Sequence, residues 1–398
     1  MAAQLAGQST AAPSLAPFLA LLDSVKQSVD ARLATAFDDE LAGAGRLGPE
    51  VLATLTAAKD LSLRGGKRLR AGLVVLGFVA ASGQRVDKND KRSARWARSQ
   101  SGDVRYAAQS DWRMLLECGV AVELLQSYFL VHDDWMDQDA ERRGGPSVHA
   151  ALERAFEQLA AEVQHAVPLA TAIPHRAACG AVLAGDYLVA LANQRLLLAA
   201  RKHKRLAGAL DVFQRMQLDA VLGQQLDVIG LCRDAELIYR LKTSSYTVSG
   251  PLELGAVLAS ASEKQLKKLR AFANPVGVAF QIRDDLLSLF GDPAKTGKPF
   301  ASDLRSGKWT WVVQQALTNG TEAEKNALRR CFGEASATTS QLKKGVAALE
   351  SSGARAATEA KIAELTLEAV AALTRMKLGK AEEALFRSAI TALVDRGM

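Results

Sequence analysis

The sequence contains few of the residues that interrupt or cross-link a chain. Proline accounts for 10 of its 398 residues. Runs of alternating β-branched and aromatic residues bounded by turn signals are nearly absent, which disfavours a fold built on sheets. The four cysteines are far apart and form no CxxC pair, and the five histidines are scattered. A disulfide framework or a zinc site is therefore disfavoured, and the cysteines are expected to be small buried residues in a reducing cytoplasm.

Long apolar runs and a charged leader are also missing. No stretch reaches the roughly 18 uninterrupted apolar residues of a membrane span. No basic residue precedes Lys26, so the N-terminus lacks the charged start of a signal peptide. The net charge of +7 is dispersed, and no nucleic-acid-binding motif is present. We expect a cytoplasmic protein with no nucleic-acid partner and no stable membrane insertion.

What the sequence has in quantity is helix-forming and apolar residues. Hydrophobic residues make up 48% of the chain, and long stretches are rich in Ala, Leu, Gln, Glu and Arg. These features predict an all-α protein with one helical domain over 15–398, a flexible tail over 1–14 and a basic loop insertion over 83–111. The C-terminal third, from Lys308, is expected to be helical and amphipathic. The other predicted helices cover 15–41, 49–62, 71–81, 112–139, 148–165, 176–202, 206–229, 235–249, 250–260 and 263–290.

The first candidate site is a cluster of carboxylates at the end of a strongly apolar helix. Asp133, Asp134 and Asp137 are spaced three and four residues apart, which places them on one helical face. Like charges at that distance repel each other, and burial increases the cost. Such a cluster persists if it is solvated or if it holds cations. Hard oxygen ligands suit Mg²⁺, which takes substrate phosphates as further ligands.

A second acidic pair ends another apolar helix. Asp284 and Asp285 follow Gln281 in the sequence QIRDDLLSLFGD. Two such helix ends facing each other would form a pocket with carboxylates on both walls, which can clamp a diphosphate through bridging metal ions.

Basic residues next to glycines or in short motifs complete the candidate site. Arginine matches phosphate oxygens in a planar fork and lysine supplies a compact charge. Together with two carboxylate sets, these side chains suggest a site for two diphosphates. The basic candidates are Lys67, Arg70, Arg142, Arg143, Lys242, Lys298 and Lys308.

The order of these motifs resembles that of a known family. Between about residues 50 and 320 the chain carries GGKRLR, ELLQSYFLVHDDWMDQDAERRGGPSVH, AGDYL, GQQLD, LKTSSY, QIRDDLLSLFGD and TGKPFASDLRSGK. In this it resembles the trans-isoprenyl diphosphate synthases, also called the polyprenyl synthetase family. The resemblance implies a bundle of long antiparallel helices around a central cavity, usually in a homodimer. It also implies condensation of an allylic diphosphate with isopentenyl diphosphate.

The resemblance also implies residue roles. The metal ligands for about three Mg²⁺ ions would be Asp133, Asp134, Asp137, Asp284 and Asp285. The allylic diphosphate would further contact Arg142, Lys242, Lys298 and Lys308. The isopentenyl diphosphate site would comprise Lys67, Arg70, Gln126 and Arg143. The polar groups beside the developing cation would be Thr243 and Gln281, and supporting pocket residues would be Gln224, Asp227 and Asp186.

Product length is expected to depend on two aromatic residues before the first acidic motif. Tyr128 and Phe129 stand five and four positions before Asp133, about one helical turn below it. Two bulky rings there would block a long chain. In the family, aromatics at both positions accompany the fifteen-carbon product and one alone the twenty-carbon product. We expect farnesyl diphosphate, with geranylgeranyl diphosphate as the alternative.

The sequence departs from the family pattern in two places. Position 288 is Ser, whereas the second acidic motif of the family usually ends in a third Asp. The basic segment 83–111 is also longer than the family usually has there. Three other interpretations remain open at this stage. A class I terpene cyclase of the same fold would ionise one diphosphate and need no second one. A non-catalytic subunit of a heteromeric synthase would typically lose an acidic motif. A basic nucleic-acid- or lipid-binding helical protein would leave both motifs unexplained.

Overall fold

The computed structural model describes residues 15–82, 109–162, 172–291 and 300–395. The predicted tail 1–14, most of the predicted insertion 83–111 and Lys298 lie outside the described residues.

The described residues are helical almost throughout, which confirms the predicted all-α class. The N-terminal helices are α1 (Ala16–Ala44), α2 (Pro49–Leu63), α3 (Leu69–Ser82), α4 (Gln109–Met136), α5 (Val148–Glu162), α6 (Ile173–Ala200) and α7 (Leu206–Ile229). The central ones are α8 (Ala235–Tyr239), a π-helix (Arg240–Ser249), α9 (Gly250–Leu258) and α10 (Glu263–Phe290). The C-terminal ones are α11 (Ser302–Arg305), α12 (Trp311–Asn319), α13 (Glu322–Arg329), α14 (Thr339–Ser351), α15 (Ala354–Met376) and α16 (Lys380–Val394).

Local sequence signals account for several helix starts. Proline stands in the first turn of α1, α2 and α6, where its missing N–H costs no hydrogen bond. Reciprocal capping boxes begin α10, α13 and α14, with Ser262–Gln265, Thr321–Glu324 and Thr338–Gln341 as the paired residues. These signals determine the residue at which each of these helices begins.

Helix α4 lies at the centre of the bundle and carries the first acidic motif. Its side chains from Val120 to Leu125 are buried. Both α4 and α6 are long and apolar enough to span a bilayer, but 78% of the apolar window of α4 is inside the protein, which identifies it as a core helix. The corresponding fraction of α6 is 39%, so an apolar side of α6 faces outward.

Two deviations from regular α-helix lie beside the site. The segment predicted as one helix over 235–249 is α8 followed by the ten-residue π-helix, which carries Lys242, Thr243 and Tyr246. After α4, a hairpin too short to be recognised in the sequence pairs β1 (Glu141–Arg142) with β2 (Gly145–Pro146). Its two turn residues, Arg143 and Gly144, both have positive φ, as a tight hairpin requires.

The expectation for the cysteines is only half correct. Cys118 and Cys331 are buried, but Cys179 is exposed and Cys232 is partly exposed. Both of the latter lie on or just after helices with an outward side, α6 and α7, so the apolar core does not enclose them. All four thiols are free.

Candidate active site

A polar cavity of about 650 Å³ lies inside the bundle and brings most of the candidate residues together. Its walls come from α1, α3, α4, the π-helix, α10 and the segment after α11. The candidates that line it are Lys67, Arg70, Gln126, Asp133, Arg143, Lys242, Thr243, Gln281, Asp284, Asp285 and Lys308. One space thus contains carboxylates of both acidic motifs and the predicted cations.

Lys242 of the π-helix links the first acidic motif to α7. Its Nζ donates to Asp133 Oδ1 at 3.1 Å and to Asp227 Oδ2 at 2.5 Å. Gln224 adds a hydrogen bond to Asp133 Oδ1 at 2.9 Å. Although burial favours the neutral acid, the charges of Lys242 and nearby Lys308 hold the pKa of Asp133 well below its ordinary value. Asp133 is therefore an anion at neutral pH, oriented from two helices.

The other two carboxylates of the first motif have cationic partners of their own. Asp134 is fully buried and accepts from Arg142 Nε at 2.6 Å. Burial raises the pKa of Asp134 to about 6, and Arg142 opposes the shift. Asp137 pairs with Lys308 at 2.5 Å. Helix α4 ends at Met136, one residue before Asp137, but the Asp137 N–H still bonds to Asp133 O at 2.8 Å, so the helical face continues. Neither Asp134 nor Asp137 lines the cavity itself.

The second acidic motif is held by a chain of hydrogen bonds. Thr243 Oγ1 donates to Gln281 Oε1 at 2.7 Å, and Gln281 Nε2 donates to Asp285 Oδ1 at 2.8 Å. The Tyr239 hydroxyl donates to the other oxygen of Asp285 and accepts from a backbone N–H at 2.6 Å. Burial, reinforced by the charge of Asp303, raises the pKa of Asp285 to about 7. This carboxylate therefore lies where a cation would lower its energy.

The predicted isopentenyl diphosphate residues, three of which are cationic, line the same cavity. Gly65 and Gly66 have positive φ, so the chain turns tightly before α3 and exposes Lys67. Arg143 approaches this turn and donates to Arg64 O at 3.2 Å. Burial lowers the pKa of the Arg143 guanidinium. The turn before α3 and the hairpin thus bring Lys67 and Arg143 to the same cavity.

The two neighbouring arginines of the hairpin contact different parts of the site. Arg142, in β1, turns back to Asp134, whereas Arg143, in the turn, lines the cavity. The sequence RRGG contains both cations but does not indicate this division. Gln126 also lines the cavity, and its Oε1 is buried without a hydrogen-bond partner among the described residues.

A second cavity of about 460 Å³ lies between α4, α7 and the π-helix. Tyr128 and Phe129 line it, as the product-length hypothesis requires, and their ring centroids are 4.7 Å apart. Burial, reinforced by the charge of Asp186, raises the pKa of Tyr128. The two cavities share Leu130, Asp133, Lys242 and Tyr246.

Three residues at the site were not singled out from the sequence. Tyr239 contacts Asp285, Asp303 lines the cavity near it, and Tyr246 lies between the two cavities. Asp303 lies in the motif TGKPFASDLRSGK and Tyr246 in the motif LKTSSY, so membership of a motif could have indicated both as site residues. Tyr239 lies two residues before the motif LKTSSY, and only its contact with Asp285 of α10 identifies it as a site residue.

The donor set fits Mg²⁺ chemically, although it is not a preassembled metal site. Asp133, Asp284 and Asp285 offer hard oxygen ligands on one cavity, and Asp134 Oδ2 is buried without a hydrogen-bond partner among the described residues. Within the same residues no three acidic, histidine or cysteine side chains converge on one point. Ser288, at the departure from the family pattern, has a buried hydroxyl with no hydrogen-bond partner within the described ranges.

Comparison with known proteins gives consistent results. The family model described as Polyprenyl synthetase matches residues 53–349. A short chain isoprenyl diphosphate synthase of Methanocaldococcus jannaschii is 29% identical over 301 residues, covering 74% of this chain and 76% of the relative. A (2E,6E)-farnesyl diphosphate synthase of Mycobacterium tuberculosis is 33% identical over 222 residues, covering 54% of this chain and 55% of the relative.

Among solved structures, a geranylgeranyl pyrophosphate synthase of Corynebacterium glutamicum, complexed with isoprenyl diphosphate and magnesium, superposes with a TM-score of 0.80. It is 27% identical, and the alignment covers 94% of this chain and 99% of that one.

Proposed function

Because the chain belongs to the polyprenyl synthetase family, and the relatives described above are isoprenyl diphosphate synthases, we propose that it elongates an allylic diphosphate with isopentenyl diphosphate. The proposed product is farnesyl diphosphate, with geranylgeranyl diphosphate as the alternative. Relatives that make each product resemble this chain to a similar degree.

One observation carries the proposal: a single cavity is lined by carboxylates of both acidic motifs and by more cations than one diphosphate needs. One diphosphate would lie between Asp133 and Asp285, near Lys242 and Lys308. A second diphosphate needs positive charge elsewhere, and Lys67, with Arg70 and Arg143, supplies it. A terpene cyclase ionises one diphosphate and does not require this second anion site. A non-catalytic subunit does not require both acidic motifs.

The chain's own residues have defined tasks in this reaction. Lys242 and Lys308 stabilise the leaving diphosphate as the C–O bond of the allylic substrate breaks. Thr243 and Gln281 line the cavity and are hydrogen-bonded to each other, and in this reaction they would be the polar groups beside the developing allylic cation. The alkene of isopentenyl diphosphate then forms the new carbon–carbon bond, and the proton lost from the adjacent carbon goes to the released diphosphate. No side-chain nucleophile is required.

The proposal includes Mg²⁺, held by Asp133, Asp134 and Asp137 on one wall and by Asp284 and Asp285 on the other. Bound Mg²⁺ would neutralise diphosphate charge and favour its departure. Lys298, outside the described residues, remains a further predicted diphosphate contact.

We also propose that the protein is a homodimer in the cytoplasm, where its water-soluble diphosphate substrates occur. Leucines on the outward sides of α6 and α7 are exposed, although isolated exposed leucines on a soluble protein are ordinary. A set of them on two neighbouring helices indicates an interface. This set, the α6–α7 face, comprises Leu183, Leu197, Leu198, Leu218 and Leu222.

A product assay tests the proposed reaction. Purified protein is incubated with Mg²⁺, labelled isopentenyl diphosphate and dimethylallyl, geranyl or farnesyl diphosphate in turn, and the alcohols are sized after dephosphorylation. Labelled C15 or C20 alcohols are expected, and EDTA should abolish them. If the allylic substrate alone is converted to a hydrocarbon, the protein is a terpene cyclase and the proposed elongation is wrong.

A further inference from the structure

Tyr246 lies where the two cavities meet. It lines both of them, together with Leu130, Asp133 and Lys242. The π-helix places it one turn after Lys242 on the same side. Asp133 and Lys242 have roles in binding the allylic diphosphate, but Tyr246 has no role in the function proposed above.

The ring of Tyr246 contacts both functional regions. Its centroid is 4.5 Å from that of Phe129, and the Arg70 guanidinium carbon lies 4.7 Å from it. Arg70 is fixed from the other side by a 2.6 Å hydrogen bond to Thr247. One half-buried ring therefore packs between a cation of the proposed isopentenyl diphosphate site and an aromatic residue of the proposed product-length wall.

We propose that Tyr246 is a specificity-determining residue that limits product length together with Phe129. This inference rests on the proposed elongation activity. The growing chain passes from the first cavity, at Asp133 and Lys242, toward the second, and it meets the paired rings of Phe129 and Tyr246. Each ring restricts the rotamers of the other, because aromatic pairs at this separation attract each other.

Removing the Tyr246 ring has two consequences for the pocket. The wall loses the volume of the ring itself, and Phe129 loses the partner that holds it in place. Both changes deepen the space available to the prenyl chain. Tyr246→Ala should therefore give products longer by at least one five-carbon unit, whereas Tyr246→Phe keeps the ring and the wild-type product.

The same ring supports Arg70. Loss of the cation–π contact should raise KM for isopentenyl diphosphate roughly two- to fivefold in Tyr246→Ala. Tyr246→Phe should leave this KM close to the wild-type value, because the ring face is retained. A residue with only a general structural role would not shift product length and this KM together.

The experiment compares Tyr246→Ala, Tyr246→Leu and Tyr246→Phe with the wild type, using labelled isopentenyl diphosphate and geranyl diphosphate. Tyr246→Leu retains apolar bulk and serves if the alanine variant does not fold, as judged by circular dichroism. Phe156→Ala is the matched control, since it truncates a half-buried aromatic of α5 that lines neither cavity.

Longer alcohols from the Ala and Leu variants, with wild-type lengths from Tyr246→Phe and Phe156→Ala, are expected. Wild-type product length from both truncated variants would overturn the inference while leaving the proposed function intact. Failure of the wild-type protein to incorporate any label would instead remove the proposed function.

Discussion

Lys242 contacts carboxylates of two helices, and this single residue shows how charge is arranged at the site. Its ammonium group lies between Asp133 of α4 and Asp227 of α7. A buried cation paired with two carboxylates gains attraction from both, which offsets the cost of its desolvation. Although burial opposes the charged form, Asp133 and Asp227 raise the pKa of Lys242 above its ordinary value. Lys242 therefore stays positive at any pH at which the enzyme would work.

Replacing Asp133 should remove turnover but not the fold. In Asp133→Asn the helix α4 is intact and Lys242 keeps Asp227 as a partner, so circular dichroism should match that of the wild type. The rate of label incorporation from isopentenyl diphosphate should fall by roughly 10²-fold or more, as for loss of other transition-state electrostatic groups. Asp39→Asn, on the exposed surface of α1, is the control. A near-wild-type rate in Asp133→Asn would remove the metal-ligand assignment.

The raised pKa of Asp285 predicts how stability depends on pH. Its pKa is about 7 in the folded protein and 3.8 in the unfolded reference, so the folded state binds more protons between these values. The free energy of unfolding should therefore fall as pH rises from about 4 to 7 and level off above. Asp134, with a pKa of about 6, acts in the same direction.

The measurement is the Tm in EDTA at pH 5, 6, 7 and 8, where we expect a decrease of a few degrees up to pH 7. Asp285→Asn removes the titrating group, so its Tm should change less over the same range. An equal slope in the variant would show that other groups cause the dependence. Added Mg²⁺ should raise the Tm most above pH 7, where the carboxylate is ionised.

At the scale of elements, sequence reasoning succeeded where hydrophobic periodicity is long. Helices α1, α2, α7 and α10 have observed bounds within about three residues of the predicted ones. It did not reveal the π-helix, because nothing in the sequence of Arg240–Ser249 distinguishes a π-helix from an α-helix, and the change in hydrogen-bond register depends on packing. The two-residue strands at Glu141 and Gly145 are too short to produce a period.

The contacts between site residues were less predictable from the sequence than the identities of those residues. Spacing along the chain brings Asp133 and Asp134 together, and the motifs indicated both. The contact between Tyr239 and Asp285 joins residues 46 positions apart, and it depends on how α8 packs against α10. Nothing in the local sequence records that packing, so the positioning of Asp285 could not be predicted.

Helix α7 approaches the π-helix closely at Gly223, and this approach positions Lys242. A methyl group at Gly223 would overlap the backbone of Lys242, which no rotamer change can relieve. Gly223→Ala should therefore cost about 1–3 kcal/mol of stability and lower turnover. Gly43→Ala is the matched control, because its methyl group would meet nothing within 4 Å. Chemical denaturation and the label assay measure both effects, and equal behaviour of the two variants would contradict the prediction.

At the scale of the whole molecule, the α6–α7 face is an outward apolar surface of the described helices. Leu218 and Leu222 are 66% and 58% exposed and stand one turn apart on α7. Burying such residues would contribute about 25 cal/mol per Å² of apolar surface. The second cavity also borders α7 at Val221 and Val228, so the proposed dimer interface and the proposed product pocket involve the same helix.

Charges on this face should separate the proposed dimer. The double variant Leu218→Glu/Leu222→Glu should elute as a monomer in size-exclusion chromatography with light scattering, at concentrations where the wild type is a dimer. Leu367→Glu is the control, since Leu367 is 71% exposed on α15, away from the face. A monomeric wild type, or a dimeric double variant, would be inconsistent with this interface.

The two cavities have only Leu130, Asp133, Lys242 and Tyr246 in common. Phe129 and Tyr128 line the second cavity and not the first. In the proposed function, substitutions of these two rings should change how long a prenyl chain grows without removing any residue that takes part in making each bond. Natural selection could therefore diversify the products of this scaffold by single substitutions, while a common catalytic apparatus is inherited unchanged.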